Sequence, residues 1–535
     1  MTREAPSDRE LFWADAVAES LPTDIPHVIR DSKTPSGPVP ISSLRGPVIT
    51  DALYRSFREH GLQVTYVFTI DDYDPMDSQS MRQQAGMAEH MGKPFFKIPS
   101  PDPSVASDFA RYHAERFLST FERVGIRPGE IHWLRDLYGS GKLDGEIDLV
   151  LRHAEDVRRV YAEVSNVEKD PGWLPIWIIC ESCGKIGTTH ATDFDGGTVA
   201  YECRKDYVTW AEGCGHRGRV SPFKGNGKLP WNLQWCAMWD FFNVTYEEGG
   251  KDLLTAGGSR DRANEIYRAV WKREPPAGLQ HEFLTIGGKK MATSKGIGAS
   301  AVELVELYPG EIVRFLMLRT QPKRAIEFDP AGNTLPRLFD EYDRCADLFL
   351  EDPAADLAKI WKLSQVHEDD EPIVFRVRFG TVADWLQIPS IEPHAEAENR
   401  KAAPLTAGER RDLDARIALA RVWLERWAPE EARFAVAPTL PPAAAALTDA
   451  QRAFLDRAAD LVGRITEPAQ MQERLYEIAK EVGLTTPEGK VSKAAFEAVY
   501  LTFIGKPSGP RAAWLLVTLD PAFVTARLHE ATHQK

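Results

Sequence analysis

The chain has 535 residues, 43% of them hydrophobic and 10% aromatic, with 65 Lys plus Arg against 79 Asp plus Glu for a net charge of −14. At roughly 100–200 residues per domain, this length calls for roughly three to five units, and the apolar share excludes wholesale disorder. The acidic balance argues against a general nucleic-acid coat; no run of about 18 apolar residues offers a membrane span, and the first thirty residues lack the apolar centre of a secretory signal.

The N-terminal third reads as α/β. His27–Arg30 is a short β-like run, followed by the turn-rich Thr34-Pro-Ser-Gly-Pro38. From Pro47 to His60 the apolar Val48, Leu53 and Phe57 are spaced by charges and closed by Gly61, which predicts a helix and its stop. Val64-Thr-Tyr-Val-Phe-Thr-Ile70 is β-branched and aromatic almost throughout, as a strand buried on both faces requires. Strand, loop, helix, strand is a βαβ unit, so the sheet is parallel and ligands bind at the carboxyl ends of its strands. That rule places Lys33–Ser43 beside Asp71-Asp-Tyr-Asp74. Turn formation and ligand binding both account for three acids at a strand end; the ligand edge favours binding.

Residues from roughly 175 to 225 interrupt the pattern. Cys180-Glu-Ser-Cys183 is followed by Cys203 and by Cys214-Gly-His216. Thiolates are soft ligands, and two knuckles closing on one ion suit structural zinc. The ligands read here are Cys180, Cys183, Cys203 and Cys214, with His216 able to replace one of them; the alternative is four buried free thiols. Six cysteines are too few for a disulfide scaffold, so the chain reads as cytoplasmic with one metal site, and Cys236 and Cys345 read as core residues.

Lys228-Leu-Pro-Trp-Asn232 with Trp235 comes next, its tryptophans fitting core packing and a ligand pocket about equally. In Gly249-Gly-Lys-Asp252 and Gly257-Gly-Ser259, the glycines allow close backbone approach and Asp252 could accept from ribose hydroxyls. Helical sequence returns at Asp261–Lys272. Lys289, Lys290 and Lys295 then share a loop with Thr293 and Ser294, a set able to neutralise and hold a polyphosphate. By charge alone a solvated basic loop would be the better reading; the glycine stretch before it tips the balance towards a nucleotide.

The α/β character ends near residue 330, and Ala, Leu, Arg and Glu take over. Leu413, Ile417, Ala420, Leu424 and Trp427 recur at helical spacing, as do Phe454, Ala458, Leu461 and Ile465, then Met471, Leu475, Ile478 and Val482 before Gly483. Phe496, Val499, Tyr500 and Phe503 form a further set before Gly505, and the Pro- and Ala-rich Ala428–Thr448 separates the helices.

Taken together, these stretches, with Gly505-Lys-Pro-Ser-Gly-Pro510, resemble class I lysyl-tRNA synthetases over most of the chain, and Lys290-Met-Ala-Thr-Ser-Lys-Gly296 resembles the second class I signature, KMSKS. The resemblance implies a doubly wound, parallel-sheet, Rossmann-like catalytic domain in two halves, 1–174 and 226–330. A zinc-ribbon-like insert at 175–225 would divide them, and an all-α domain of the anticodon-binding type would fill 331–535. It implies activation of lysine by ATP with Mg2+ and transfer to tRNA, beside a structural zinc, with no membrane partner; no residue signals an oligomeric state. Lys290, Ser294 and Lys295 would serve catalysis. Ser36, Gly37, Ser42, Ser43, Asp252, Gly257, Gly258, Ser259 and Met291 would hold ATP. For the amino acid, Asp71, Asp72 and Asp74 are the candidate partners of the ammonium and Tyr73, Trp231 and Trp235 the candidate aromatic faces.

The chain also departs from the family. The first class I signature, a His-Ile-Gly-His-like pattern, is here Pro40-Ile-Ser-Ser43, and Leu253 stands where the family usually has histidine. A lost transition-state donor typically lowers the rate by ~10²–10³. Either neighbours compensate, among them Ser42, Ser43, Lys33, Arg45 or His27, or adenylation is altered. Two other readings follow: a synthetase paralogue serving another acceptor, and a non-catalytic tRNA- or nucleotide-binding protein. In the helical end Arg421, Trp423, Arg426 and Trp427 could stack on bases or meet phosphates, against helix core and solvated face.

Overall fold

β1 (His27–Lys33) and β2 (Val64–Ile70) pair in parallel, from His27 opposite Val64 to Lys33 opposite Ile70. The computed structural model describes residues 11–84, 86–255, 257–286, 300–368, 371–388 and 391–533. β3 (Glu130–Trp133) extends the sheet beyond β2, again in parallel. On the other side of β1 the chain returns: Ile29 bridges Tyr246, and Tyr246 bridges Ala277, both in parallel. β1 is therefore an interior strand with connections running to both sides, the arrangement that opens a crevice at the carboxyl ends.

α1 (Trp13–Ser20) and α2 (Arg45–Glu59) flank this sheet. α2 buries Val48, Ile49, Leu53 and Phe57 completely and ends at Gly61, whose φ of +76° suits glycine. It starts two residues before Pro47, which a first turn accepts because no intrahelical partner awaits that missing N–H. Arg45 fastens the start of α2, donating to the carbonyls of Glu282 at 2.5 Å and Arg324 at 2.9 Å.

The cysteine-bearing segment contains β4 (Trp177–Ile178), β5 (Thr189–Phe194), β6 (Val199–Cys203), β7 (Arg217–Val220) and β8 (Gly227–Lys228). β5, β6 and β7 form an antiparallel ribbon, bulged at Asp193, while β4 and β8 pair antiparallel with each other.

The chain divides into two units, Met1–Phe328 with Glu351–Asp370, and Asp329–Leu350 with Glu371–Lys535. The return of Glu351–Asp370 is held by Arg314, fully buried, which donates to the Leu363 carbonyl at 2.7 Å and pairs with Asp51 at 2.7 Å. The composition shift near residue 330 does not announce it. The second unit is helical, with Ala407–Arg426, Asp449–Ala459, Pro468–Glu481 and Lys493–Phe503 among its helices. The first two begin in capping boxes, Thr406 with Glu409 and Thr448 with Gln451. Trp423 and Trp427 are buried, Trp423 donating to the Gly332 carbonyl at 3.0 Å, so both belong to the core, while Arg421 and Arg426 are exposed. Among the described residues no helix is long and apolar enough to cross a membrane.

Candidate functional site

A cavity of about 320 Å³ opens at the carboxyl ends of β1 and its neighbours. Its floor is a buried ion pair: Arg30 of β1 meets Glu247, next to Tyr246 in the adjoining strand, at 2.6 Å. The other oxygen of Glu247 accepts from the indole N–H of Trp235 at 2.7 Å and from that of Trp239. Arg30 also donates to the Thr69 hydroxyl at 2.6 Å, which in turn donates to Asp71 at 3.2 Å. One network thus links β1, the carboxyl end of β2 and the segment after Tyr246.

The acids after β2 go separate ways. Asp71 lines the cavity, 3% exposed, and burial pushes its pKa up to about 7, with Arg30 opposing and Asp74 assisting. Asp72 faces Arg135, accepting from its backbone N–H at 2.9 Å and from its guanidinium; burial pushes it up to about 6 against that pairing. Asp74 pairs with the fully buried Lys228 at 2.6 Å and accepts from Thr34 at 3.3 Å. Tyr73 is buried between Phe96 and Tyr138, its hydroxyl donating to the Gly225 carbonyl. Of the four residues, only Asp71 is brought to the cavity wall, whereas Trp231 and Trp235 both line it, ring centroids 4.9 Å apart.

On the α2 side the wall carries Ser42, Ser43, Gly250, Asp252 and Leu253. Lys33 donates to the Ser43 hydroxyl at 3.0 Å. Gly46 sits so close to Glu248 that a Cβ there would fall 2.7 Å from Oε1, so α2 approaches the carboxylate only through glycine. Glu248 pairs with His281 at 2.9 Å; burial opposes the imidazolium, but the carboxylate prevails and raises the His281 pKa. Asp31 is pushed well above the usual carboxylate range by burial and then by Glu248.

Ser36, Gly37, Gly257, Gly258 and Ser259 lie outside this lining. Ser259 opens the helix Ser259–Val270, and the Gly257 N–H donates to Asp261 at 2.8 Å. Lys289, Lys290, Met291, Thr293, Ser294 and Lys295 lie outside the described residues. His27 occupies the opposite end of β1, its nitrogens bonded to Thr245 at 3.1 Å and the Pro22 carbonyl at 2.8 Å.

Sequence reasoning missed Arg30, Asp31, Gln234, Glu247, Glu248 and His281. The doublet Glu247-Glu248 following the β-like Val244–Tyr246 and preceding Gly249-Gly250 was the available signal: charge at the carboxyl end of a strand.

Away from the cavity, the Sγ atoms of Cys180, Cys183, Cys203 and Cys214 all lie within 4.8 Å of one another, with Cys180–Cys214 at 3.6 Å and Cys183–Cys203 at 3.7 Å. Four thiolates bound tetrahedrally to zinc would be about 3.8 Å apart. Cys203 also accepts from the Cys214 N–H at 3.3 Å. His216 stands outside the group, 3.8 Å from Glu181.

A family model described as tRNA synthetases class I (K) matches residues 11–367. Lysine–tRNA ligase of Archaeoglobus fulgidus is 31% identical over 529 residues, covering 97% of this chain and 100% of the relative. Lysine–tRNA ligase 1 of Methanosarcina acetivorans is 32% identical over 551 residues, with 98% of each covered, and lysine–tRNA ligase of Thermoplasma acidophilum is 31% identical over 526, with 97% and 98% covered.

Proposed function

The chain belongs to the class I (K) tRNA synthetases, and from that membership we infer that it is a lysine–tRNA ligase, joining lysine to ATP as lysyl-adenylate and passing the lysyl group to tRNA. The observation that carries the reading is likeness to lysine–tRNA ligases along nearly the whole chain, at 31% identity and 97% coverage. The cavity supports it chemically. The first step is in-line attack of a carboxylate on the α-phosphorus, which asks for positioning and charge stabilisation rather than a protein nucleophile. Asp71 with the faces of Trp231 and Trp235 suits the ammonium of lysine; Ser42, Ser43, Gly250 and Asp252 suit a nucleotide carried with Mg2+. By sequence, Lys290, Ser294 and Lys295 are assigned to the leaving pyrophosphate. Cys180, Cys183, Cys203 and Cys214 are assigned one structural zinc, and the chain is placed in the cytoplasm.

Lysine-dependent ATP–pyrophosphate exchange followed by charging of tRNA tests the reading. Exchange without charging would make the chain a paralogue serving another acceptor; no exchange with any amino acid, despite tRNA binding, would make it a binding protein.

Asp71 adds a pH signature. Its folded pKa of about 7 lies above the usual 3.8, so its contribution to folding is present below the usual value and lost as pH rises through 7. An ammonium ligand prefers the ionised carboxylate, so binding gains what folding loses. The KM for lysine is expected to fall between pH 6 and pH 8. In Asp71→Asn it is expected to rise about 10- to 100-fold and to lose this dependence. A wild-type KM flat across that range would remove Asp71 from lysine recognition.

A further inference from the structure

Among the described residues three basic side chains line the cavity, and two face carboxylates: Arg30 meets Glu247 at 2.6 Å and His281 meets Glu248 at 2.9 Å. Lys33 differs. It makes no ion pair among the described residues, and its ammonium donates to the Ser43 hydroxyl at 3.0 Å. An ammonium has three protons to donate, so a single hydroxyl leaves two of them for a further partner at this half-buried position. Burial accordingly lowers its pKa, while Asp31, Asp71 and Asp252 hold it up from beyond ion-pairing distance. An anion arriving in the cavity would complete its bonding.

The position is equally specific. Lys33 ends β1, its carbonyl accepting from the Asp71 N–H at 2.9 Å, while its side chain reaches Ser43 just before α2. It thus stands between the acid suited to lysine and the hydroxyls suited to the nucleotide. Among the described residues Arg45, at the start of α2, is occupied by backbone carbonyls, and His27 lies at the far end of β1, bonded to Thr245 and Pro22. Pro40, in the first-signature stretch, carries no donor.

We propose that Lys33 is a catalytic residue whose Nζ binds a non-bridging oxygen of the α-phosphate during adenylate formation. The inference rests on the ligase reading above. In that step a carboxylate oxygen of lysine bonds to the α-phosphorus, the α–β bridging P–O bond breaks, and pyrophosphate leaves with the electron pair. Lys33 keeps its proton and offsets the charge gathering on the phosphoryl oxygens.

Lys33→Met and Lys33→Arg test it in the full-length protein, with thermal melts confirming that each folds. Exchange kcat is expected to fall ~10²–10³-fold in Lys33→Met while the KM for lysine stays within about twofold, and Lys33→Arg is expected to recover about tenfold of the loss. Wild-type exchange is expected to decline at alkaline pH as Lys33 deprotonates, a limb that Lys33→Arg moves upward. AMP should bind wild type more tightly than adenosine does, and Lys33→Met should erase that preference. An unchanged kcat, an effect confined to the KM for lysine, or a retained preference for AMP would overturn the proposal. If wild type catalyses no exchange, the ligase reading fails, and the comparison of AMP with adenosine still decides whether Lys33 meets the phosphate.

Discussion

Glu247→Ala is expected to remove about 3–5 kcal/mol of folding stability and to abolish lysine-dependent exchange, read from urea midpoints and from the exchange assay. The cause is what the substitution leaves behind. Arg30 is 1% exposed, and its guanidinium would keep the Thr69 hydroxyl at 2.6 Å but lose its one ion-pair partner among the described residues. Two indole N–H groups, on the buried Trp235 and Trp239, would lose their acceptor as well. A buried charge stripped of its partner is far more costly than the intact pair is stabilising. Arg30→Met combined with Glu247→Leu should therefore recover part of the lost stability and none of the activity, because the two indoles left unpaired still forfeit roughly 1–3 kcal/mol each. If Glu247→Ala unfolds at the parent's midpoint, the pair is not what holds these strand ends together.

This network also marks where reading the chain by pattern stops. Val64–Ile70 is legible to the residue because β-branched and aromatic side chains fill a strand buried on both faces. Met471–Val482 reads nearly as well, against an observed Pro468–Glu481, because its apolar stripe has helical period. β1 reads short. Its first four residues look like a strand, but Asp31, Ser32 and Lys33 continue it to the ligand edge with polar side chains that propensity assigns to a loop. The partner that makes a buried Arg30 tolerable lies 217 residues away, and no local pattern links the two. The run Asp71-Asp-Tyr-Asp74 offered three acids of equal promise. Past the strand end each takes its own direction, and the cations they meet, Arg135 and Lys228, come from a following helix and from β8. Which acid lines the cavity is therefore a tertiary fact, and of the three only Asp71 does.

Removing the zinc proposed for the four-cysteine group is expected to unfold the ribbon β5–β6–β7 and to carry catalysis with it. Four sulfurs within 4.8 Å would repel one another strongly as thiolates, and a divalent cation would convert that repulsion into a gain; structural zinc binding is worth about 10–16 kcal/mol near neutral pH. The ribbon's consequence for the cavity runs through the chain that leaves it. β8 ends at Lys228, fully buried against Asp74 at 2.6 Å, and Trp231 of the cavity wall opens the next helix. A ribbon that comes apart is expected to free β8 from its register with β4 and, with it, the cavity wall at Trp231 and Trp235. Metal analysis should find about one zinc per chain, and Cys203→Ala should lower that content, the melting temperature and the exchange rate together, the last by about tenfold or more. Four neutral thiols packed as a small apolar cluster predict the opposite, because chelation would then leave melting and exchange unchanged.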